Sequence, residues 1–300
     1  MRLKAGVAVA LSLAGLLSVA ACGGNDPADG KATVAAPAQQ KDQGLYDLLP
    51  DKIKQSGTLN IAAGHNYPPL VFLDTDNTSI TGLEPELMKA IGQVMGVKVT
   101  FNQASFDSLI AGVQARRYDL AVQAMLDTPE RRGKVTFVDY FKTSSSLLVQ
   151  EKDAASVASL DDLCGKVTAV EQGTAQVDDA QQQAKKCSAA GKAELKVLVF
   201  PDTVGCIQAV STGRANAFIG GTPTVAYQAG QSGGQMKQVG QPYRFLPYGI
   251  LVNKEDQSLV KAVQGALQEL MDNGSYAKIL TKWQVSSGAL DKAMVDGGSA

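Results

Sequence analysis

One arginine lies where a strand gives way to a helix, and its position points to anion binding. The stretch LAVQAMLDTPERRGK opens with an aliphatic run and continues through Asp-Thr-Pro-Glu, so a strand is predicted to end just before a helix begins. Arg131 then lies in the first helical turn, where the macrodipole and the free backbone N–H groups attract anions rather than cations. This favours a site for a bound anion. The alternative is a solvated surface arginine, with Arg132 and Lys134 as further surface charges.

Metal and nucleophile chemistry have little support in the sequence. His65 is the only histidine, and the cysteines form no CxxC pair. We therefore predict no metal site, no catalytic residue and no cofactor, although a mechanism based on carboxylates would need no histidine. In an oxidising compartment, Cys164 and Cys187 are the favoured disulfide because they enclose a segment with polar, loop-like ends, but other pairings stay open. Cys206 lies in the apolar phase of a helical stretch and is predicted to be a buried free thiol.

The first residues predict export and lipid anchoring. Arg2 and Lys4 precede an apolar run that closes with VAAC at Cys22. This pattern is typical of a secretory signal over 1–21 and is too short and too Ala-rich for a membrane span. VAAC resembles the lipobox of bacterial lipoproteins, so Cys22 is predicted to be acylated at the extracytoplasmic face of the cell membrane, with 22–44 as a disordered tether. The alternative is an ordinary signal in which the cysteine is incidental.

Charge and size limit the function classes. The chain has 28 basic and 29 acidic residues, and loss of Arg2 and Lys4 with the signal would change the net charge from −1 to −3. No nucleic-acid partner is therefore predicted. With 300 residues and 45% hydrophobic content, the chain can bury one large core or two modest ones.

Short apolar runs alternate with amphipathic stretches from Leu59 onward, which predicts an α/β fold with mostly parallel strands. Strands are predicted at 59–63, 97–101, 119–123, 146–150, 166–170, 195–200 and 216–220, and helices from Glu84, Phe106, Ala175, Val204 and Ser258. The segment LIAGVQARRYDLAVQA aligns with CIQAVSTGRANAFIGG as helix, turn and strand, which favours two similar lobes over one sheet. Chance similarity among common apolar residues is the alternative. In two such lobes, Gln123 and Gly221 would face one cleft, beyond the carboxyl ends of their strands.

Longer segments, in order along the chain, carry a resemblance to a known family. They are NYPPLVFLDTDNTSITGLEPELMKAIGQVMGVKVTF, FDSLIAGVQARRYDLAV, DTPERRGKVTFVDYF, DLCGKVTAVEQGTAQ, GQPYRFLPYGILVNK and NGSYAKILTKW. From Leu59 to Val285 the chain resembles the polar amino-acid family of extracytoplasmic solute-binding proteins, the receptors of ABC importers. The resemblance implies a type II periplasmic-binding-protein fold, in which two α/β lobes joined by two hinge strands close on a ligand. Lobe 1 would comprise 45–149 plus 247–285, lobe 2 would comprise 150–246, and 286–300 would form a C-terminal tail.

The resemblance also implies roles for individual residues. Arg131 matches the arginine that clamps the ligand carboxylate, a task suited to the planar fork of a guanidinium. Thr174, after Gly173, matches the second-lobe loop that meets the same carboxylate at a helix start. Tyr67 and Phe106 match aromatic positions of the side-chain pocket, and core packing is the alternative for each. The predicted ligand-binding set is Asn66, Tyr67, Phe106, Gln123, Met125, Arg131, Gly173, Thr174 and Gly221.

Two positions depart from the family pattern. Leu126 stands where the family usually has Ser or Thr, and Gly221 stands where a carboxylate pairs with the α-ammonium of the ligand. Without that partner, a buried ammonium would lack a counter-charge at a cost of several kcal/mol. We favour a carboxylate ligand that lacks a primary α-amine. An amino acid neutralised by Glu84 or Asp127, and a degenerate site, are the alternatives.

The leading hypothesis is a monomeric, lipid-anchored receptor with no enzymatic activity. It would deliver a small polar carboxylate, an amino acid or a close relative, to the permease subunits of an ABC importer. The second hypothesis is an enzyme of the same fold, dehydratase-like, with Glu171 and Glu84 as candidate carboxylates. The third is a solute sensor or interaction module.

Overall fold

The computed structural model describes residues 38–298. Its helices are α1 (Gln43–Asp47), α2 (Asp51–Ser56), α3 (Leu83–Val94), α4 (Leu109–Gln114), α5 (Pro129–Arg132), α6 (Ala175–Ala189), α7 (Thr203–Ser211), α8 (Thr222–Gln231), α9 (Gln257–Asp272) and α10 (Ser275–Lys282). Its strands are β1 (Thr58–Ala63), β2 (Asn66–Tyr67), β3 (Val71–Leu73), β4 (Ile80–Thr81), β5 (Lys98–Gln103), β6 (Leu120–Val122), β7 (Thr136–Gln150), β8 (Val167–Glu171), β9 (Lys196–Phe200), β10 (Ala217–Gly221), β11 (Met236–Val252) and β12 (Met294–Val295). Short 3₁₀ turns occupy Phe106–Ser108, Glu151–Ser156, Leu160–Leu163 and Ser286–Gly288.

The main sheet has two parallel halves joined by two long antiparallel strands. Its order is β5-β1-β6-β11-β7-β10-β8-β9, with β12 beside β7. We call β5-β1-β6 and its helices the first half, and β10-β8-β9 and its helices the second half. Both β7 and β11 belong to both halves: β11 pairs with β6 through Leu251 and Val252, whereas β7 pairs with β10 from Ser145 onward. A small sheet of β2, β3 and β4 belongs to the first half.

Each half buries its own apolar clusters. In the first half, α9 places Leu259, Val263, Leu267 and Leu270 in the core, the face that its spacing of apolar residues dictates. In the second half, one cluster lies under α6 and another under α7. The carboxyl ends of β6, β8 and β10 therefore meet near the line between the halves, where a ligand of an open α/β sheet would bind.

The structure contains all of the predicted strands and helices, with one large difference in length. We predicted a strand at 146–150, but β7 begins ten residues earlier, at Thr136. The extension TFVDYFKTSS shows no simple alternation, because most of it is buried on both faces. β7 therefore enters the second half at Ser145, a few residues before the predicted lobe boundary at 149 and 150.

Both predicted terminal segments are more ordered where the structure describes them. The signal, Cys22 and the tether up to residue 37 lie outside the described residues. Residues 38–44, predicted to be disordered, contact the first half: Asp42 caps α1 by accepting from Leu45 N at 2.8 Å, and its own N–H donates to Val94 O at 2.8 Å. The predicted tail is also packed, since β12 pairs with β7 and Gly297 N donates to Asp139 Oδ2 at 2.8 Å. Buried acceptors on the folded part hold both segments.

A Cys164–Cys187 disulfide joins the turn before β8 to α6, with 5.5 Å between the Cα atoms. Cys206 is a buried free thiol, as predicted. Within residues 38–298, no helix has the length and apolar character needed to span a bilayer.

Candidate functional site

A small cavity lies between the two halves, at the carboxyl ends of β6 and β8. Its lining residues are Tyr67, Phe106, Gln123, Ala124, Leu126, Arg131, Glu171, Thr174, Ala175, Gln176 and Tyr248. About 20 Å³ of it is open to a water-sized molecule, which is room for about one water. An amino acid would therefore need the halves to separate before it could enter.

Arg131 provides the positive charge of the cavity. Thr128 caps α5, as its side-chain oxygen accepts from Arg131 N, and the arginine side chain points across to the second half. Arg131 Nη1 donates to Leu126 O at 2.9 Å, and Nη2 donates to Gly173 O at 3.0 Å. The residue is only 8% exposed, and burial lowers the pKa of its guanidinium to about 10. In the described part of the chain the guanidinium makes no salt bridge, so a buried cation has only neutral partners here.

A backbone irregularity sets which side chains of the β6 end face the cavity. Ala124 has φ +47°, in the left-handed region, and its N–H donates to Glu84 Oε1 at 2.7 Å. This turn breaks the strand alternation after Gln123, whose side chain lines the cavity. Met125, predicted to bind the ligand, does not line the cavity. Its side chain is 1% exposed and packs with Phe137 in the core beneath the first half.

In the second half, the turn after β8 brings backbone and hydroxyl groups to the cavity. Gly173 has φ +77°, and a Cβ there would lie 3.0 Å from Asp107 Cβ, so this turn requires glycine. Thr174 precedes α6, and its hydroxyl donates to Glu171 O at 2.7 Å. Gln172 Nε2 donates to Asp107 Oδ2 at 2.8 Å. This bond and the one from Arg131 to Gly173 span the two halves.

Glu171 is the carboxylate of the cavity lining. It ends β8, is 3% exposed, and accepts from Thr203 Oγ1 at 2.6 Å through Oε2. Its other oxygen, Oε1, is buried and has no hydrogen-bond partner. Burial raises the pKa of this carboxyl to about 7, and the neighbouring Asp202 and Asp107 add to the rise.

Two tyrosines fill the space in front of Gly221. Gly221 N donates to Tyr67 Oη at 2.8 Å, and a Cβ on this glycine would overlap the hydroxyl of Tyr248. Burial raises the pKa of Tyr248 to about 12 and holds the pKa of Tyr67 well above its ordinary value, so both phenols are neutral. Polar hydroxyls without charge therefore stand where the family pattern has a carboxylate.

The two carboxylates that we considered as replacements do not reach the cavity. Glu84 is buried under Ala124 and accepts from Tyr140 Oη at 2.5 Å as well as from Ala124 N. Asp127 forms a salt bridge with Arg132 at 2.6 Å and accepts from Gly298 N at 2.8 Å. Each belongs to a separate structural network.

A second, larger cavity lies beside the first. It measures about 300 Å³ and is lined by His65, Asn66, Pro68, Phe72, Leu73, Thr203, Val204, Ile207, Gln208 and Gln228. Asn66, predicted to bind the ligand, lines this second cavity, and its Oδ1 accepts from Gln123 Nε2 at 3.2 Å. His65 Nδ1 is buried without a partner on the same wall. The two cavities meet at Thr203, which lines the second and donates to Glu171 in the first.

The structure brings most of the predicted residues together. Tyr67, Phe106, Gln123, Arg131 and Thr174 line the first cavity, while Gly173 and Gly221 contribute backbone groups that bond to lining residues. Sequence reasoning missed Gln176 and Tyr248 and treated Glu171 only as a candidate for catalysis. Gln176 lies two residues after Thr174 and could have been found from that spacing. Tyr248 has no local signal, because the β7 to β11 register places it beside Phe141 and a bridge joins it to Leu126.

Comparisons with known proteins agree with this arrangement. Residues 59–286 match the profile of bacterial extracellular solute-binding proteins, family 3. The chain is 30% identical to the arginine-binding protein ArgT of Corynebacterium glutamicum over 84% of this chain and 82% of that protein. An ancestral arginine-binding protein bound to glutamine superposes with a TM-score of 0.69 at 30% identity, covering 76% of this chain and 98% of the other. The ancestral amino acid-binding protein AncCDT-1, a precursor of cyclohexadienyl dehydratase, superposes with a TM-score of 0.71 at 30% identity. This superposition covers 78% of this chain and 98% of the other.

Proposed function

The chain belongs to the bacterial extracellular solute-binding proteins, family 3, and from this we propose that it is the substrate-binding receptor of an ABC importer for an amino acid or a similar small carboxylate. The observation that carries the proposal is the buried Arg131 guanidinium, aimed into a cavity between two α/β halves with only carbonyl oxygens as partners. The predicted type II periplasmic-binding-protein fold is confirmed by similar solved structures.

A ligand carboxylate would improve the electrostatics of Arg131. Burial lowers the pKa of its guanidinium to about 10, a sign that the charge is poorly compensated. A carboxylate accepting two parallel N–H bonds would supply the missing negative charge. Arg131 would exchange its bonds to Leu126 O and Gly173 O for bonds to the ligand. Phe106, whose ring lies 5.5 Å from the guanidinium carbon, would stay as one wall.

Binding would require the halves to open and close about β7 and β11. The cavity is too small for an amino acid, and the bonds that close it are few, running from Arg131 to Gly173, from Gln172 to Asp107 and from Gly221 to Tyr67. Strands that run through both halves are natural hinges for such a motion. In this proposal the first half and the terminal segments form lobe 1, 45–149 plus 247–285, and lobe 2 is 150–246.

The membrane attachment and the partners are part of the proposal. The family is extracellular by its description. We propose that a signal over 1–21 is removed, that Cys22 is acylated, and that the receptor works as a monomer with ABC permease subunits. Labelled palmitate should be incorporated into the wild type and absent from Cys22→Ala, which would be released from the membrane; retention of the label would refute the anchor.

An enzyme of the same fold is the second candidate. Glu171 favours it, because a buried carboxyl with its pKa raised to about 7 suits general acid or base catalysis. The similarity to AncCDT-1 gives this candidate a direct test. Turnover of a cyclohexadienyl carboxylic acid by the wild type, lost in Glu171→Gln, would establish an enzyme. Binding without turnover supports the receptor.

Thermal unfolding against a ligand library tests the receptor. A ligand that binds only the folded protein stabilises it by about 2.7 kcal/mol at 100 times its dissociation constant, which raises the midpoint by several degrees. We expect amino acids or related carboxylates to raise the unfolding midpoint of the wild type. The control Arg117→Ala, which removes an exposed arginine of the same half, should show the same rise. Arg131→Ala should show no rise. No stabilisation by any member of the library would refute the proposal.

A further inference from the structure

Gly221 cannot provide the carboxylate that the family pattern places there, and no other side chain could be accommodated without rearrangement. A Cβ at this position would overlap Tyr248 Oη and lie 2.7 Å from Tyr67 Oη. Neither phenol can act as the counter-charge, because burial keeps both neutral. A cationic group of the ligand must therefore find its partner elsewhere in the cavity.

Glu171 has the geometry of that partner. Among the residues that line the first cavity it is the one carboxylate, and it is 3% exposed. Thr203 holds Oε2 at 2.6 Å and so fixes the orientation of the group. Oε1 is left buried without any donor. A buried carboxylate oxygen without a donor is costly, and a ligand N–H⁺ placed against it would remove that cost.

We propose that Glu171 receives a nitrogen cation of the bound ligand, opposite the carboxylate clamp of Arg131. This inference rests on the proposed receptor function and specifies its ligand class, a molecule with both a carboxylate and a cationic nitrogen. It agrees with our sequence-based preference for a ligand without a primary α-amine only if the cation is a group other than an α-ammonium. The nitrogen is either an α-ammonium or a cationic group farther along the ligand, and the test below separates these two sources.

Ionisation of Glu171 links binding to pH. Arg131 lines the same cavity, but the groups that shift the pKa of Glu171 are Asp107 and Asp202, which raise it, and Thr203, which lowers it. Tyr67, Tyr248 and Cys206 lie close enough for Glu171 to raise their pKa values. In the closed structure the pKa of Glu171 is about 7, so the carboxyl is largely protonated there at pH 6 when no ligand is bound. A cation favours the ionised form, so binding at or below neutral pH would release a proton, and affinity would rise about tenfold from pH 6 to pH 8.

Titration calorimetry with four probes tests the inference. L-arginine carries both cations, L-glutamine only the α-ammonium, 5-guanidinopentanoate only the distal cation, and pentanoate neither. In the wild type, the probes that carry the cation received by Glu171 should bind at least tenfold more tightly than pentanoate. Glu171→Gln should lose about 30-fold or more with those probes and change little with pentanoate. A loss confined to L-arginine and L-glutamine identifies the α-ammonium, and a loss confined to L-arginine and 5-guanidinopentanoate identifies the distal cation.

Two controls separate recognition from structural damage. Glu194→Gln removes an exposed carboxylate of the second half and should behave as wild type. Glu171→Asp should restore part of the affinity that Glu171→Gln loses. Should Glu171→Gln not fold, proton release by the wild type remains as the test: calorimetry in buffers of different ionisation enthalpy should show it for the cationic probes and not for pentanoate.

The failures of the inference and of the receptor function are distinct. Equal loss of all probes in Glu171→Gln, an unchanged affinity for L-arginine and L-glutamine, or a wild type that prefers pentanoate would overturn the role of Glu171 and leave the receptor intact. A wild type that binds none of the four probes, nor any amino acid or carboxylate of the thermal screen, would refute the receptor and with it the inference.

Discussion

Gly221 and Tyr248 lie in different halves of the molecule and fit each other so closely that a Cβ on the glycine would overlap the tyrosine hydroxyl. β10 carries the glycine and the first-half segment of β11 carries the tyrosine, so the contact would be lost if the halves separate as proposed. Closure of the cleft would then depend on the absence of a side chain at 221.

Gly221→Ala should weaken ligand binding while leaving each half folded. Overpacking of this kind costs about 1–3 kcal/mol, and the open protein avoids it by keeping the halves apart. We expect affinity for the best ligand of the thermal screen to fall about tenfold or more. Tyr248→Phe in the same chain should restore part of it, because it removes the overlapping oxygen and leaves Tyr67 Oη at 2.7 Å and the ring carbon at 3.3 Å as the nearest atoms.

Gly230→Ala is the matched control for this test. It also lies in the second half, within α8, and has nothing within 4 Å of an added Cβ. Alanine is favoured over glycine inside a helix by up to about 1 kcal/mol, so the variant should be as stable as wild type or more so and should bind normally. Equal affinities of Gly221→Ala and Gly230→Ala would contradict the steric coupling of Gly221 to Tyr248.

Arg131→Lys should bind far more weakly than wild type although it keeps the charge. Lysine lacks the planar fork that can meet both oxygens of a carboxylate, and it lacks the two separate nitrogens with which Arg131 bonds Leu126 O and Gly173 O. We expect a loss of at least tenfold, measured by calorimetry with the best ligand of the screen. Arg117→Lys is the control. An Arg131→Lys affinity within twofold of wild type would mean that the fork is not used.

The sequence predicted the fold better than the details of the cavity. Apolar periodicity located the helices and strands, since α3 and α9 each bury one continuous face. The spacing of Pro129 and Arg131 placed the arginine at a helix start, and the structure buries it there. The positions of helices, strands and helix starts are local properties of the chain, so apolar periodicity and capping patterns predict them.

The missed residues depend on tertiary contacts. Met125 was predicted to bind the ligand, but the left-handed turn at Ala124 directs its side chain into the core. Tyr248 reached the cavity through the long pairing of β7 with β11. Glu171 was identified from the sequence as a candidate carboxylate, but the lack of a hydrogen-bond donor to its buried Oε1 depends on tertiary packing. No local pattern encodes such contacts.

Removal of the disulfide should lower stability without changing the site. The bond between Cys164 and Cys187 spans 23 residues of sequence, and closing a loop of this size is worth about 3 kcal/mol. Cys164→Ser with Cys187→Ser should therefore unfold at lower urea concentration, while ligand affinity stays within about threefold because neither residue lines a cavity. Reductant should destabilise the wild type by a similar amount and leave the double variant unchanged. A double variant as stable as the oxidised wild type would contradict this.

Asp139 should make the protein less stable as pH rises from about 5 to 8. It is fully buried on β7, with Oδ1 unpartnered and Oδ2 accepting from Gly297 N. Burial, with the nearby Asp127, raises its pKa to about 7, whereas an unfolded aspartate has a pKa of about 3.9. Between these two pH values the folded state binds one more proton than the unfolded state. The stabilisation that comes from protonated Asp139 is therefore fully present below pH 4 and is lost as pH rises through 7.

Asp139→Asn should remove this loss, because an amide oxygen can still accept from Gly297 N and carries no charge. Across pH 5 to 8, the free energy of unfolding of the wild type should fall by about 1–3 kcal/mol more than that of the variant. Glu84 and Glu171, whose pKa values burial also raises to about 7, contribute in both proteins. The comparison therefore isolates Asp139. Urea unfolding at each pH measures the difference, with Asp291→Asn as an exposed control that should follow the wild type. If Asp139→Asn follows the wild-type pH profile as well, Asp139 is already ionised in the folded protein across this pH range, and the prediction is wrong.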